Sequence, residues 1–193
     1  MRWLGRLEFL LHITRTRGIA RRYFVVNGFD GALTMLGILT GFYISEAADL
    51  RLIIGACAGA AVALAMSGLT SAYISERAER RRELTKLEEA MVADLSESAH
   101  GRAARWVPLL IAAVNGLAPL LISIVIISPL IFVWTGGNLA TPALQTSIGV
   151  ALFIIFLLGV FLGQIGRTFW LISGLQALVI ALCTVALILF LGL

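Results

Sequence analysis

Charge is scarce in this chain. Asp, Glu, Lys and Arg make up 13% of its 193 residues, against about 25% in an ordinary soluble domain, while 60% are hydrophobic. The shortage excludes a conventional water-soluble globule, and a mean hydropathy of +0.97 places the chain among integral membrane proteins. Cysteine is confined to Cys57 and Cys183, each inside an apolar run, which excludes a disulfide framework and a C-x-x-C metal site. Histidine is confined to His12 and His100, and neither has a partner at metal-ligand spacing. There is no G-x-S-x-G elbow and no intramembrane nucleophile–base pair, so the chain is not expected to be an enzyme. A cleavage pattern of small residues is also missing from the arginine-rich first twenty residues, so no cleaved leader is expected.

What is present is a set of five apolar runs, each near the roughly 20 residues that a bilayer crossing requires. They cover residues 23–45, 52–74, 107–133, 144–165 and 168–191. The third contains Pro108, Pro119 and Pro129; Pro119 is interior and is expected to free a carbonyl and kink its helix. Residues 1–22 mix arginines with Trp3, Phe9 and several leucines, and are expected to form an amphipathic helix lying in the interface. Residues 75–106 are charged and helix-forming, and are expected to continue the second span into water until "SESAHGR" breaks the helix. The expected architecture is therefore all-α: five transmembrane helices, an interfacial N-terminal helix and an extension of the second span.

The formal net charge is +4, but its distribution says more. With five spans, fourteen of the fifteen Lys and Arg residues fall on one side and only Arg51 on the other. The positive-inside rule then puts the N-terminus in the cytosol and the C-terminus outside. The expected location is a prokaryotic plasma membrane. The bilayer is the expected surrounding, and no nucleic-acid partner is expected.

Only one ionisable acid or base lies within the five runs: Asp30, in "VVNGFDGALTMLGILTGFYIS". An acidic side chain at membrane depth costs at least about 2.5 kcal/mol on the most lenient insertion scale, so it marks function by default. On a helix, Asp30, Thr34, Gly37, Gly41 and Ser45 form one stripe, bordered by Asn27 and Gly31. The second span carries a comparable stripe of Gly55, Gly59, Ala63, Ser67 and Ser71. Small-residue faces allow close helix packing within a chain or across a dimer. Asp30 lies about seven residues from the cytosolic end of its span, roughly 10 Å, and Met66 and Ser67 lie at a similar distance on the antiparallel second span. Carboxylate oxygen suits Mn²⁺ and Fe²⁺, and a thioether favours later transition metals over Ca²⁺ or Mg²⁺. Asn115, one turn before Pro119, either lines a cavity with the freed carbonyl or marks a simple kink. The alternative is that Asp30 is a packing residue bonded to Asn27 or Asn115.

The charged segment offers a second candidate. Glu88, Glu89, Met91 and Asp94 lie where bases are absent and could capture a divalent ion before entry. The other reading is a solvated helix face, which suits Glu76, Glu79 and Glu83 because arginines interleave with them.

Four segments resemble the vacuolar iron transporter family. "NGFDGALTMLGILTGF" looks like its first span, with Asp-Gly followed by a threonine. "SGLTSAYISERAERRRE" looks like the end of its second span, where a Tyr leads into a charged helix. "NGLAPLL" and "GQIGRTFWLISGLQALVIALCTVALILFLGL" resemble its third span and its last loop with the fifth span. The resemblance implies a homodimer that moves Fe²⁺, and often Mn²⁺, out of the cytosol by proton exchange, along a pathway between the protomers lined by the first helices. It implies that Asp30 is the central carboxylate. The metal is the cargo, and no permanently bound cofactor is expected. This chain differs where the family has a Ser-Met pair and a glutamate in the second span: it has Ser67-Gly68 and, near the glutamate's place, Ala60. The chain also has a short charged segment in place of the large cytosolic metal-binding domain of plant members. Asp30, Asn27, Thr34, Ser67, Met66 and Asn115 are thus the expected pathway residues. A non-transporting membrane scaffold with a cytosolic docking helix is the other function considered.

Overall fold

The computed structural model describes residues 16–46 and 49–191. Most of the expected interfacial helix lies outside the described residues. All regular structure among the described residues is helical: α1 (Thr16–Ile44), α2 (Leu50–Met91), α3 (Ala99–Trp134), α4 (Ala143–Ile165) and α5 (Trp170–Leu191). Each is long and apolar enough to cross a membrane. The five expected spans are therefore present, one in each helix.

Two helices outrun a bilayer. α2 has 42 residues, about 63 Å at 1.5 Å per residue and roughly twice the ~30 Å hydrocarbon core. All its charged side chains except Arg51 follow Ser75, so the second span and the charged segment as far as Met91 form one continuous helix. The break comes at residues 92–98, earlier than expected, and the Ala-His-Gly-Arg end of "SESAHGR" already belongs to α3. α3 begins at Ala99, ahead of the expected span, and runs without a break through Pro108, Pro119 and Pro129.

The helix ends follow from local chemistry. The Asp49 carboxylate accepts hydrogen bonds from the backbone N–H groups of Arg51 (2.9 Å) and Leu52 (3.4 Å), capping the start of α2. Asp49→Ala is expected to lower stability by about 1 kcal/mol, seen as a lower unfolding midpoint in detergent; Asp49→Ser should keep most of the cap. Ser98 plays the same part at α3, accepting from Gly101 N at 3.3 Å. α2 stops where Val92 adopts φ 49° and Ala93 N reaches back to the Glu88 carbonyl at 3.3 Å, a left-handed cap formed without glycine.

The chain divides into two compact units. Among the described residues, one comprises 16–24 and 65–117; the other comprises 25–46, 49–64 and 118–191. In the first, Ala72 of α2 and Ala103, Val107, Ile111 and Ala112 of α3 form a core against Ile19, Tyr23 and Tyr73. In the second, Met35, Leu36 and Leu39 of α1 pack with Ile53, Cys57, Ile126, Leu130 and Ile155.

Hydrocarbon gives no hydrophobic drive for helices to associate, so contact depends on close fit and small residues. α4 and α5 show this directly. A Cβ on Gly159 would stand 2.6 Å from the Ala177 Cβ and 2.8 Å from the Ser173 carbonyl oxygen. Thr168, in the connection, ties the two: its hydroxyl donates to the Gly163 carbonyl of α4 at 3.3 Å and lies 2.9 Å from the Ser173 hydroxyl of α5. In the first unit, Gly68 and Gly116 bring α2 and α3 equally close: a Cβ on Gly116 would stand 2.7 Å from the Ala65 carbonyl oxygen.

Candidate transport site

Asp30 is exposed on the surface of the single chain. Its neighbour Gly31 is buried, because α1 approaches α3 there: a Cβ on Gly31 would stand 2.8 Å from the Pro119 Cα and 3.0 Å from the Pro119 carbonyl oxygen. Successive side chains on a helix diverge by about 100°. Seating Gly31 on Pro119 therefore turns Asp30 away from that contact. Asn27 and Thr34, one turn to either side of Asp30, are half-buried, and Val26 is 50% exposed. Met35 is fully buried in the core of this unit.

Met66, Ser67 and Asn115 belong to the other unit. Met66 and Ser67 are exposed, on a side of α2 where Gly55, Gly59, Val62, Ala63, Thr70 and Ser71 are exposed too. Gly55 and Gly59 have no atom within 4 Å of where a Cβ would stand. The small-residue stripe of the second span is thus an open face of the single chain. Asn115 is buried, and its amide donates to the Gly68 carbonyl at 2.7 Å. The Asn115 carbonyl faces Gly68, where a Cβ would stand 3.0 Å from it. Asn115 therefore ties α3 to α2 through its side chain, at a point where the two backbones come close.

The acidic candidates sit at the end of α2. Glu88, Glu89 and Asp94 line one open cleft, beside which Met91 is exposed. Glu88 accepts the Leu95 N–H at 3.1 Å and Asp94 accepts the Ser96 N–H at 2.8 Å, so two of the three carboxylates help close the turn between α2 and α3. The Ser96 backbone, and then its hydroxyl, hold the Asp94 carboxyl below the usual carboxylate range. Among the described residues, no three His, Cys, Asp or Glu side chains gather in a group that could hold a metal ion.

Set beside known proteins, the chain is 30% identical over 169 residues to Uncharacterized protein MJ0645 of Methanocaldococcus jannaschii, covering 86% of this chain and 85% of that protein. The chain belongs to the MJ0645 family. No protein-family model and no solved structure matches it. The stretch shared with MJ0645 is too long to lie within either compact unit alone.

Two features of this MJ0645-family chain escaped the sequence reading. The hydroxyls of Thr40, Ser123 and Ser147 are buried in the second unit with no hydrogen-bond partner among the described residues. Arg80 is buried between Glu76 (3.7 Å) and Glu83 (2.8 Å), an ion-paired ladder along α2. Burial pushes the Glu76 carboxyl above the usual range; Arg80 opposes the shift, Glu83 and Glu79 add to it, and Arg22 opposes it more weakly. A carboxyl raised on folding binds its proton more tightly in the folded state. Its contribution to stability is therefore full below the ordinary glutamate value and is lost as pH rises through the raised one. Thermal unfolding across that acidic window should show this loss in the wild type and a weaker one in Glu76→Gln.

Proposed function

We propose that the chain is one protomer of a homodimeric transporter that exports a divalent transition metal, Fe²⁺ or Mn²⁺, from the cytosol in exchange for protons. The observation that carries this reading is the exposure of Asp30 at membrane depth. Hydrocarbon does not tolerate an uncovered carboxylate, so protein or a water-filled path must cover it. A second copy of the chain does both if the paired α1 helices enclose a polar channel with an Asp30 on each side. The open small-residue face of α2 supplies a surface for close approach. The resemblance of the Asp-Gly span and the Tyr-plus-charged-helix segment to vacuolar iron transporters supplies the cargo class.

In this arrangement two Asp30 carboxylates offer hard oxygen ligands, with Thr34 and Asn27 one turn away. A site of so few ligands binds weakly, as conduction requires, since a cargo must leave as well as enter. Each carboxylate can take a proton once the metal has gone, which couples the two flows. The lysine and arginine distribution sets the N-terminus, the far half of α2 and the start of α3 in the cytosol, with the plasma membrane of a prokaryote as the location. Uptake of Fe²⁺ and Mn²⁺ into liposomes holding the purified protein, with and without a pH gradient, tests the activity. The assembly has its own test. Gly59→Leu fills open space on a single chain, so the fold should survive while crosslinking and native mass spectrometry show monomer in place of dimer. An unchanged dimer would remove this face of α2 from the interface.

A further inference from the structure

In the first unit, Arg77 and Arg81 of α2 and Arg105 of α3 line one cavity of about 400 Å³, together with Tyr73, Ser96 and Pro108. We propose that this cavity binds a phosphate-bearing anion, presented by the head group of an anionic lipid or by a soluble phosphorylated molecule. The inference stands apart from the metal-transport reading and uses none of its residues.

Three guanidinium groups share the cavity, and no carboxylate lines it. Arg77 donates to the Tyr73 hydroxyl at 3.2 Å and lies 5.7 Å from the centre of the same ring. Arg105 meets the Ser96 carbonyl and the Glu97 carboxylate, each at 3.5 Å, but the Arg105 and Glu97 side chains are 63% and 88% exposed. An exposed pair of that length contributes little. Among the described residues Arg81 makes no ion pair, and it is exposed. Three guanidinium groups lining one cavity, with the exposed Glu97 pair of Arg105 as their one acid contact among the described residues, make a place that attracts an anion. Guanidinium is the side chain best suited to grip phosphate, through paired N–H donors.

Position selects the kind of anion. Tyr73 lies at the last turn of the second apolar run and Pro108 at the first turn of the third, so the cavity sits where both helices leave the hydrocarbon. Lipid phosphates lie at that level, and basic pockets between transmembrane helices hold anionic head groups there. A volume of about 400 Å³, more than ten times the ~30 Å³ share of one water molecule, has room for a phosphodiester and its polar substituent.

The test uses the purified full chain in a neutral detergent, read by native mass spectrometry and thermal unfolding. Short-chain phosphatidylglycerol, phosphatidylcholine of the same chain length and inorganic phosphate are titrated separately. Phosphatidylglycerol should bind and raise the unfolding midpoint, and phosphatidylcholine should not. Arg81→Ala, at an exposed position that leaves the fold intact, should weaken phosphatidylglycerol binding about tenfold, with Arg81→Lys intermediate. Arg82→Ala, on the same helix but outside the cavity, should bind as the wild type does. Protection by inorganic phosphate equal to that by phosphatidylglycerol, and lost in Arg81→Ala, would support the anion site and assign it to soluble ligands. An equal response to the two lipids, or undiminished binding in an Arg77→Gln/Arg81→Ala variant, would overturn the proposal.

Discussion

Replacing Asp30 with Asn should slow metal flux into proteoliposomes by about tenfold or more, the rate equivalent of about 1.4 kcal/mol, while leaving the protein as stable as the wild type or more so. The two halves of this expectation have separate physical origins. Asparagine nearly matches aspartate in shape, so helix α1 loses no packing. It carries no charge, so it attracts a divalent cation poorly and cannot exchange a proton for one. It also removes the cost of holding a carboxylate at membrane depth, and that cost shows in the unfolding midpoint. The scaffold reading makes the opposite forecast. If Asp30 were packing glue, Asp30→Asn would lower the midpoint, and the wild type would show no flux to lose. Asp30→Glu adds a useful arm, since it keeps the charge but moves it by one methylene. Partial flux in that variant would point to charge as the requirement and to geometry as its refinement. Equal flux in the wild type and Asp30→Asn would remove Asp30 from the mechanism.

The spans were legible because hydropathy integrates over some twenty residues and tolerates local error. The continuity of α2 was legible as well, since the glutamates, arginines and leucines after Ser75 favour helix and nothing before Val92 interrupts them. On α2 one period grouped the residues correctly: Gly55, Gly59, Ala63, Ser67 and Ser71 share a stripe and all are exposed, although the period left open whether that stripe packs within the chain or across a dimer. Periodicity was less informative on α1. Thr34, Gly37 and Gly41 share the stripe of Asp30 yet are half-buried, and Gly31, read as a border of the same stripe, is buried under Pro119. A helical wheel shows which residues share a side; what covers that side is decided by a partner far along the chain. The same limit hid the arginine cavity. Arg77 and Arg81 are one turn apart, but Arg105 reaches them only through the turn after α2, and the mixed charges around them read locally as a solvated face. It also hid part of the role of the acidic cluster, because the bonds from Glu88 to Leu95 N and from Asp94 to Ser96 N depend on where the helix stops.

Gly31→Ala is expected to be the most damaging single-methyl change in α1. The added Cβ would stand 2.8 Å from the Pro119 Cα and 3.0 Å from its carbonyl oxygen, so it meets backbone and not a side chain free to rotate away. Pro119 cannot yield by changing its own φ, because its ring fixes that angle. The two helices must separate instead, and overpacking of this kind costs about 1–3 kcal/mol, with Gly31→Val beyond the alanine variant. Gly18→Ala is the control on the same helix: no atom lies within 4 Å of its Cβ position, so it should gain up to about 1 kcal/mol from helix propensity. The contrast separates close approach from any general intolerance of alanine in α1. It also explains why the aspartate and glycine stand side by side. Gly31 fixes the rotation of α1 against Pro119, and that rotation aims Asp30 away from its own chain. Asp30→Asn should therefore remove flux and spare the fold, while Gly31→Ala should weaken the fold and, at temperatures where the protein remains folded, reduce flux by turning Asp30 out of line. If Gly31→Ala proved as stable as Gly18→Ala, the contact with Pro119 would not be what orients the aspartate.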